Sequence, residues 1–220
     1  FGSLFGKDGK DFKSRMGAHN RDTQMGWFII IGTLPILIAG LLFKDAIEST
    51  LRNLWITVTV LIVFGILLWV VDARAKQVKT MEEMTWKDAL IFGIGQMLAL
   101  IPGVSRSGGT ITFGRAMGYT REAAVRVSFL MAIPAVFGAG ILEAVSAVKD
   151  VAAGDAGMFP GWGATIVAFV VGYVVIIGFL KFVSTFSYKA FAIYRIALAV
   201  VVALLLICGV LSPMEATAAA

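Results

Sequence analysis

Five stretches of this chain run for 17 to 21 residues with at most one charged side chain each. Met25–Phe43, Leu54–Val71 and Ala164–Leu180 hold no charge, Phe129–Val145 carries Glu143 near its end, and Phe191–Leu211 carries Arg195 near its start. A helix crosses a hydrocarbon core in ~20 apolar residues or slightly fewer. Lipid offers the backbone no hydrogen-bond partners, so each span must satisfy its own amides as a helix. The runs predict an all-α, polytopic integral membrane protein with about five transmembrane helices. Composition agrees, with 59% hydrophobic and 15% charged residues against ~45–50% and ~25% in soluble domains. A soluble chain of 220 residues has too little interior to hide that surface. This excludes an ordinary soluble enzyme, a disordered chain and, with Cys208 alone, a disulfide scaffold.

The net charge of +5 would suit nucleic acid. The basic residues, however, lie between the apolar runs, where membrane topology accounts for them, so no nucleic-acid partner is expected. Residues 1–24 hold five Lys or Arg, 44–53 two, 72–88 four, 146–163 one and 181–190 two. The positive-inside rule then places 1–24, 72–88 and 181–190 on the cytoplasmic side. Trp27, Trp55, Trp69, Trp86 and Trp162 all sit at or just outside the ends of apolar runs, the level that indole rings favour in a membrane. Residues 1–220 read as one transmembrane domain with a polar start, a turn-rich stretch at Gly157–Gly163 and a short tail.

Residues 89–128 break the pattern. Ala89–Ile101 is apolar for only 13 residues and stops at Pro102-Gly103-Val104-Ser105-Arg106-Ser107-Gly108-Gly109-Thr110. A weaker apolar stretch follows to Tyr119, and Thr120 with Glu122 can start a new helix that runs through Arg126 and Pro134. Runs of this length are often re-entrant, so 89–119 is expected to form a helix-loop-helix hairpin that dips into the membrane and returns.

The loop 102–110 carries the chemistry. Gly103, Gly108 and Gly109 let the backbone turn and expose its amides. Ser105, Ser107 and Thr110 add hydroxyls, and Arg106 adds a permanently charged planar fork that matches phosphate oxygens. A helix beginning near Thr110 would add the partial positive charge of its N-terminus. The set points to phosphate or diphosphate, although Gly/Ser loops also serve as hinges and helix contacts. Gln96 either lines the same cavity or bridges helices. Arg195 is expected to snorkel to the interface, with a lipid phosphate as the other option. Arg115, Arg121 and Arg126 suit anionic headgroups or topology, Glu82 and Glu83 a solvated face, Glu143 a helix end, and His19 solvent. No metal-ligand spacing or Walker sequence is present. A transporter or flippase for a phosphorylated lipid or anion remains the alternative to an enzyme at this point.

Leu98–Thr110 closely resembles the second signature of the bacterial undecaprenyl-diphosphate phosphatases, the bacitracin-resistance family. Gly95-Gln96, Gly118–Ala124, Ser128–Ala135 and Ile31–Phe43 resemble the family as well, so the likeness covers about residues 25–211. The resemblance implies an enzyme of the bacterial plasma membrane that hydrolyses the polyprenyl carrier diphosphate to the monophosphate and phosphate, recycling the carrier for cell-wall synthesis. It implies an inverted-repeat fold with two re-entrant hairpins and a site open to the outer face. It also implies a divalent cation, Mg or Ca, and it admits a homodimer. Carried onto this chain, Arg106, Ser105 and Thr110 are the catalytic candidates. Gly103, Ser107, Gly108, Gly109 and Gln96 are the candidates for holding the substrate phosphate. The family's earlier acidic signature has no match here, and the chain starts at Phe1. It is therefore expected to be a fragment that lacks the cation's ligands and half of the site, and to be nearly inactive alone.

Overall fold

The computed structural model describes residues 21–43, 47, 51, 53–152, 160–185 and 187–213, with backbone alone for 142–152, 160–162, 164 and 179–185. The start through His19, residues 153–159, the tail 215–220 and the side chain of Glu143 lie outside the described residues. Seven α-helices are seen among those described: α1 Arg21–Leu42, α2 Leu54–Arg74, α3 Trp86–Met97, α4 Arg106–Ala116, α5 Arg121–Ala152, α6 Pro160–Thr185 and α7 Lys189–Ile207. Capping side chains set several of the starts. Asn53 accepts the Trp55 amide at 2.9 Å, Thr85 and Asp88 form a reciprocal capping box, and Thr120 accepts the Ala123 amide at 3.2 Å.

Each of the five expected spans coincides with a helix, although Phe43 lies just past α1 and residues 208–211 lie past α7. Among the described residues four helices are long and apolar enough to cross a membrane: Arg21–Leu42, Leu54–Arg74, Arg121–Ile141 and Lys189–Ile207. In α6 the described apolar stretch is Thr165–Gly178. The helix of the third span begins at Arg121 and runs through Arg126 and Pro134, as the start signal at Thr120 and Glu122 predicts. One boundary differs from expectation. Pro160–Gly163, expected as loop, opens α6, where a proline in the first turn forfeits no hydrogen bond. The outward surface is apolar, with Leu41, Phe137, Phe169 and Ile207 between 70% and 79% exposed. Water would not tolerate such a surface and lipid does, so this is a multi-pass membrane protein.

The expected hairpin is present. α3 and α4 pack on each other, α1 covers α3, α2 and α5 flank α4, and α7 packs on α2. By length, α3 spans ~18 Å, which leaves the hairpin tip within a ~30 Å hydrocarbon core. Glycine makes the crossing possible. A Cβ on Gly95 would lie 2.9 Å from the Gly109 carbonyl oxygen, so only bare backbone lets the two arms meet here. Phe92, Ile111, Tyr119, Val125, Val127 and Met131 fill the core around the hairpin's lower half.

The base of the hairpin is tied by charge. Asp72, in the last turn of α2, accepts Arg115 Nε at 2.9 Å and Arg121 Nε at 3.0 Å, and its Oδ2 accepts the Tyr188 amide at 3.3 Å. Arg115 is fully buried and also donates to the Tyr119 carbonyl at 2.5 Å. The sequence assigns these arginines to anionic headgroups or to topology; in the structure Arg115 and Arg121 close around one carboxylate. A second node lies beside it, where Asp88 accepts Tyr119 Oη at 3.0 Å and Lys79 Nζ at 3.3 Å. Burial raises the Asp88 pKa, but hydrogen bonds from Thr85 and Tyr119 and the Lys79 charge outweigh it and leave it below the ordinary carboxylate value.

Removing one partner of a buried ion pair leaves the other uncompensated. Asp72→Asn is therefore expected to destabilise the protein by ~3–5 kcal/mol, read as a melting temperature in detergent lower by roughly 10 °C. Asp88 has a depressed pKa in the folded state, so its bonds stabilise the fold above the unfolded value of ~3.9 and are lost as pH falls through the folded one. Thermal stability should drop below about pH 4, and the drop should be smaller in Asp88→Asn.

Candidate functional site

At the tip of the hairpin, the chain leaves α3 through a short 3₁₀ turn at Leu98–Leu100 and enters α4 at Arg106. Helix α4 starts four residues earlier than expected, because the Ser105 hydroxyl accepts the Gly108 amide at 3.3 Å and caps it. The signature is thus half loop and half helix. Gly103 has φ +99°, and a Cβ there would lie 2.7 Å from the Thr57 carbonyl oxygen of α2. Ser105 has φ +64° with ψ 123°, a conformation that L residues rarely hold without enforcement. Val104, between them, is fully buried.

The proposed phosphate-handling residues separate into two groups. Ser105, Arg106 and Ser107 stand at the open edge of the loop, with the two hydroxyls 3.4 Å apart. Arg106 is partly buried, and its guanidinium has no hydrogen-bond or ion-pair partner among the described residues. The amides of Arg106 and Ser107, in the first turn of α4, have no partner there either, as helix geometry demands of the first turn. An 11-residue helix adds its dipole at the same point. The edge is therefore a set of donors and positive charge with no acceptor bonded to it among the described residues, an arrangement that suits an anion with several oxygens.

Gly108, Gly109 and Thr110 lie behind that edge and are buried. Thr110 was expected as a loop hydroxyl. It sits in the second turn of α4, fully buried, and donates to the Arg106 carbonyl at 2.7 Å. Gly109 serves the close crossing with Gly95. Gln96 is fully buried and neither amide atom has a partner among the described residues, so it bridges no helices there.

Arg195 corrects its expectation most sharply. It does not snorkel: it is 3% exposed, and its guanidinium crosses from α7 to the loop, donating to the Val104 carbonyl at 2.8 Å and to the Gly103 carbonyl. Its one available signal was a charge inside an otherwise charge-free run. Asp72 carried less signal still, since only folding brings it to Arg115 and Arg121. Two surface hollows, of about 300 and 180 Å³, lie at the base of the hairpin near Arg126 and near Phe28 and touch no loop residue.

A divalent cation needs several oxygen ligands. Among the described residues no three His, Cys, Asp or Glu side chains come together. The buried carboxylates Asp72 and Asp88 are already taken up by arginine, tyrosine, threonine and lysine donors. The described residues therefore do not fit such a cation, and no chemical step is assigned to one.

The fold and site define a polytopic helical membrane protein with a Gly-, Ser- and Arg-containing loop at the tip of a helical hairpin. The chain belongs to the bacitracin resistance protein BacA family, whose profile matches residues 3–201. It is 95% identical over 224 aligned positions to an undecaprenyl-diphosphatase of Bifidobacterium adolescentis, covering 100% of this chain and 76% of that protein. The corresponding protein of Bifidobacterium animalis subsp. lactis is 76% identical over 216 positions, 96% of this chain and 72% of its own length. That of Pseudarthrobacter chlorophenolicus is 53% identical over 212 positions, 96% of this chain and 74% of its own length. Family and fold place the protein in the bacterial plasma membrane.

Gly103→Ala forces a Cβ into both a left-handed backbone and the Thr57 carbonyl. It should destabilise the loop by ~1–3 kcal/mol, visible as faster protease nicking or amide exchange at 101–107 with the α2–α7 contact unchanged.

Proposed function

We propose that this chain hydrolyses undecaprenyl diphosphate to undecaprenyl phosphate and inorganic phosphate, a reading supported by its relatives, which are named undecaprenyl-diphosphatases. The observation that supports this most directly is Arg106: a partly buried guanidinium with no partner among the described residues, placed beside helix-start amides and two serine hydroxyls, inside an apolar membrane protein. An unpaired cation at membrane depth is costly and is kept where a ligand completes it. A lipid diphosphate meets both demands, since its tail partitions into the hydrocarbon and its head group reaches the loop.

In the reaction, water adds to the terminal phosphorus, the bridging P–O bond breaks, and its electron pair leaves on the carrier monophosphate. Negative charge builds on the terminal oxygens and on the bridging oxygen. Arg106 and the amides of the first turn of α4 stand where they stabilise that charge without reorganising. Ser105 and Ser107 orient the oxygens. We further propose that a divalent cation, held outside the described residues, assists; EDTA should lower turnover, and added Mg or Ca should restore it. Pairing of two copies is the remaining expectation, read by crosslinking in membranes.

Arg106→Ala should lower kcat on undecaprenyl diphosphate by ~100-fold or more, measured as phosphate release at saturating substrate with the melting temperature checked in parallel. Unchanged turnover would remove Arg106 from the mechanism. Movement of labelled carrier across liposomes without phosphate release would favour a transport role instead.

A further inference from the structure

The site described so far has a front, formed by Ser105, Arg106 and Ser107, and a back that the reaction does not explain. Arg195 forms that back. It lies 91 residues beyond Val104 in the chain, on a different helix, and is nearly inaccessible. Burying a guanidinium inside a membrane protein is expensive unless its donors are used. Two of its nitrogens are used, both on backbone carbonyls of the signature loop, while Nε has no partner among the described residues. No carboxylate is paired with it among the described residues, so its charge faces the loop uncompensated. It also sits directly beneath the first turn of α4, because a Cβ on Gly108 would lie 2.6 Å from Arg195 Nη1.

We propose that Arg195 is a positioning residue: by holding the Gly103 and Val104 carbonyls at the back of the loop, it presents donors and not acceptors to the phosphate. The peptide plane explains how. A carbonyl and the amide that follows it point in opposite directions across a trans peptide. Fixing the Val104 carbonyl towards Arg195 turns the Ser105 amide away from it. The same contact holds Ser105 at its positive φ, which a free serine abandons. Released, the two carbonyl oxygens would be free to rotate towards the anion and repel it. The fork geometry matters as well as the charge, since two separate nitrogens reach two successive carbonyls, which suits arginine and not lysine.

This inference rests on the loop being the diphosphate site, and the experiment separates the two. The full protein, in membranes or detergent, is assayed for kcat and KM on undecaprenyl diphosphate, with melting temperature measured for each variant. Arg195→Lys should lower kcat roughly 10- to 100-fold while KM moves little. Leu206→Ala, on the same helix but in the α2–α7 packing, should lower the melting temperature and leave kcat near wild type. Gly108→Ala drives a methyl against Nη1 and should reproduce the loss with Arg195 intact. In an Arg195→Ala background, which makes room for the methyl, it should add almost nothing.

A kcat for Arg195→Lys within about threefold of wild type overturns the proposal. So does a kcat that merely follows the melting temperature along the line set by Leu206→Ala, or an additive cycle between positions 108 and 195. Should the Arg195 variants fail to fold, Gly108→Ala decides by its kinetic pattern, since its methyl also approaches Ser105 Oγ at 3.4 Å: full turnover, or a loss carried by KM, overturns the proposal, and a lost kcat at unchanged KM and melting temperature supports it. Loss in Arg106→Ala with none in Arg195→Lys overturns the Arg195 role only, whereas full turnover in Arg106→Ala overturns the underlying site.

Discussion

Asp72 is the contact on which the rest depends. A single carboxylate in the last turn of α2 gathers Arg115 from the end of α4, Arg121 from the start of α5 and the Tyr188 amide at the entry to α7. Four helices that already pack on one another are thereby set in register at one level. In an apolar solvent the hydrophobic effect cannot choose among helix arrangements, because lipid is as good a neighbour as leucine. A buried ion pair can, since every arrangement that breaks it strands a charge. Arg115 also meets the carbonyl end of its own helix, where a cation is favoured.

From that base the hairpin rises with its depth already determined. The arms are too short to cross, and the bare backbones of Gly95 and Gly109 let them lie close enough for the core around Phe92 to fill. The tip arrives among helices α2 and α7, not lipid, so an irregular loop is tolerated at membrane depth. Its two faces then differ. On one, Arg195 takes up the carbonyls; on the other, Arg106 and the amides of the first turn stay unpaired. The same backbone is an acceptor behind and a donor in front.

Much of this was legible in the residues. The long apolar runs marked the helices, the 13-residue run that stops at Pro102 marked the hairpin, and the density of glycine, serine and one arginine after it marked the candidate anion site. Where the reading failed, it failed on long-range partners. Arg115 and Arg121 lie 43 and 49 residues from Asp72. Arg195 lies 91 from Val104. No local pattern announces such a pair. The start of α4 was misplaced for a different reason: serine at 105 is a good cap, but the glycines after it argue against a helix until packing against α3 supplies the stability they lack.

The sequence by itself determined the solvent, the number of apolar helices and the chemistry of the loop, because each follows from local composition and period. Only the tertiary structure decided which charges are structural and which are free for a ligand. Arginines at 106, 115, 121 and 195 are the same side chain in similar surroundings along the chain. Three of them find backbone or carboxylate partners when the helices pack, and the fourth is left facing an open edge. That distinction is made by the positions of oxygens contributed from distant segments, and distance in space is the one quantity a linear chain does not display.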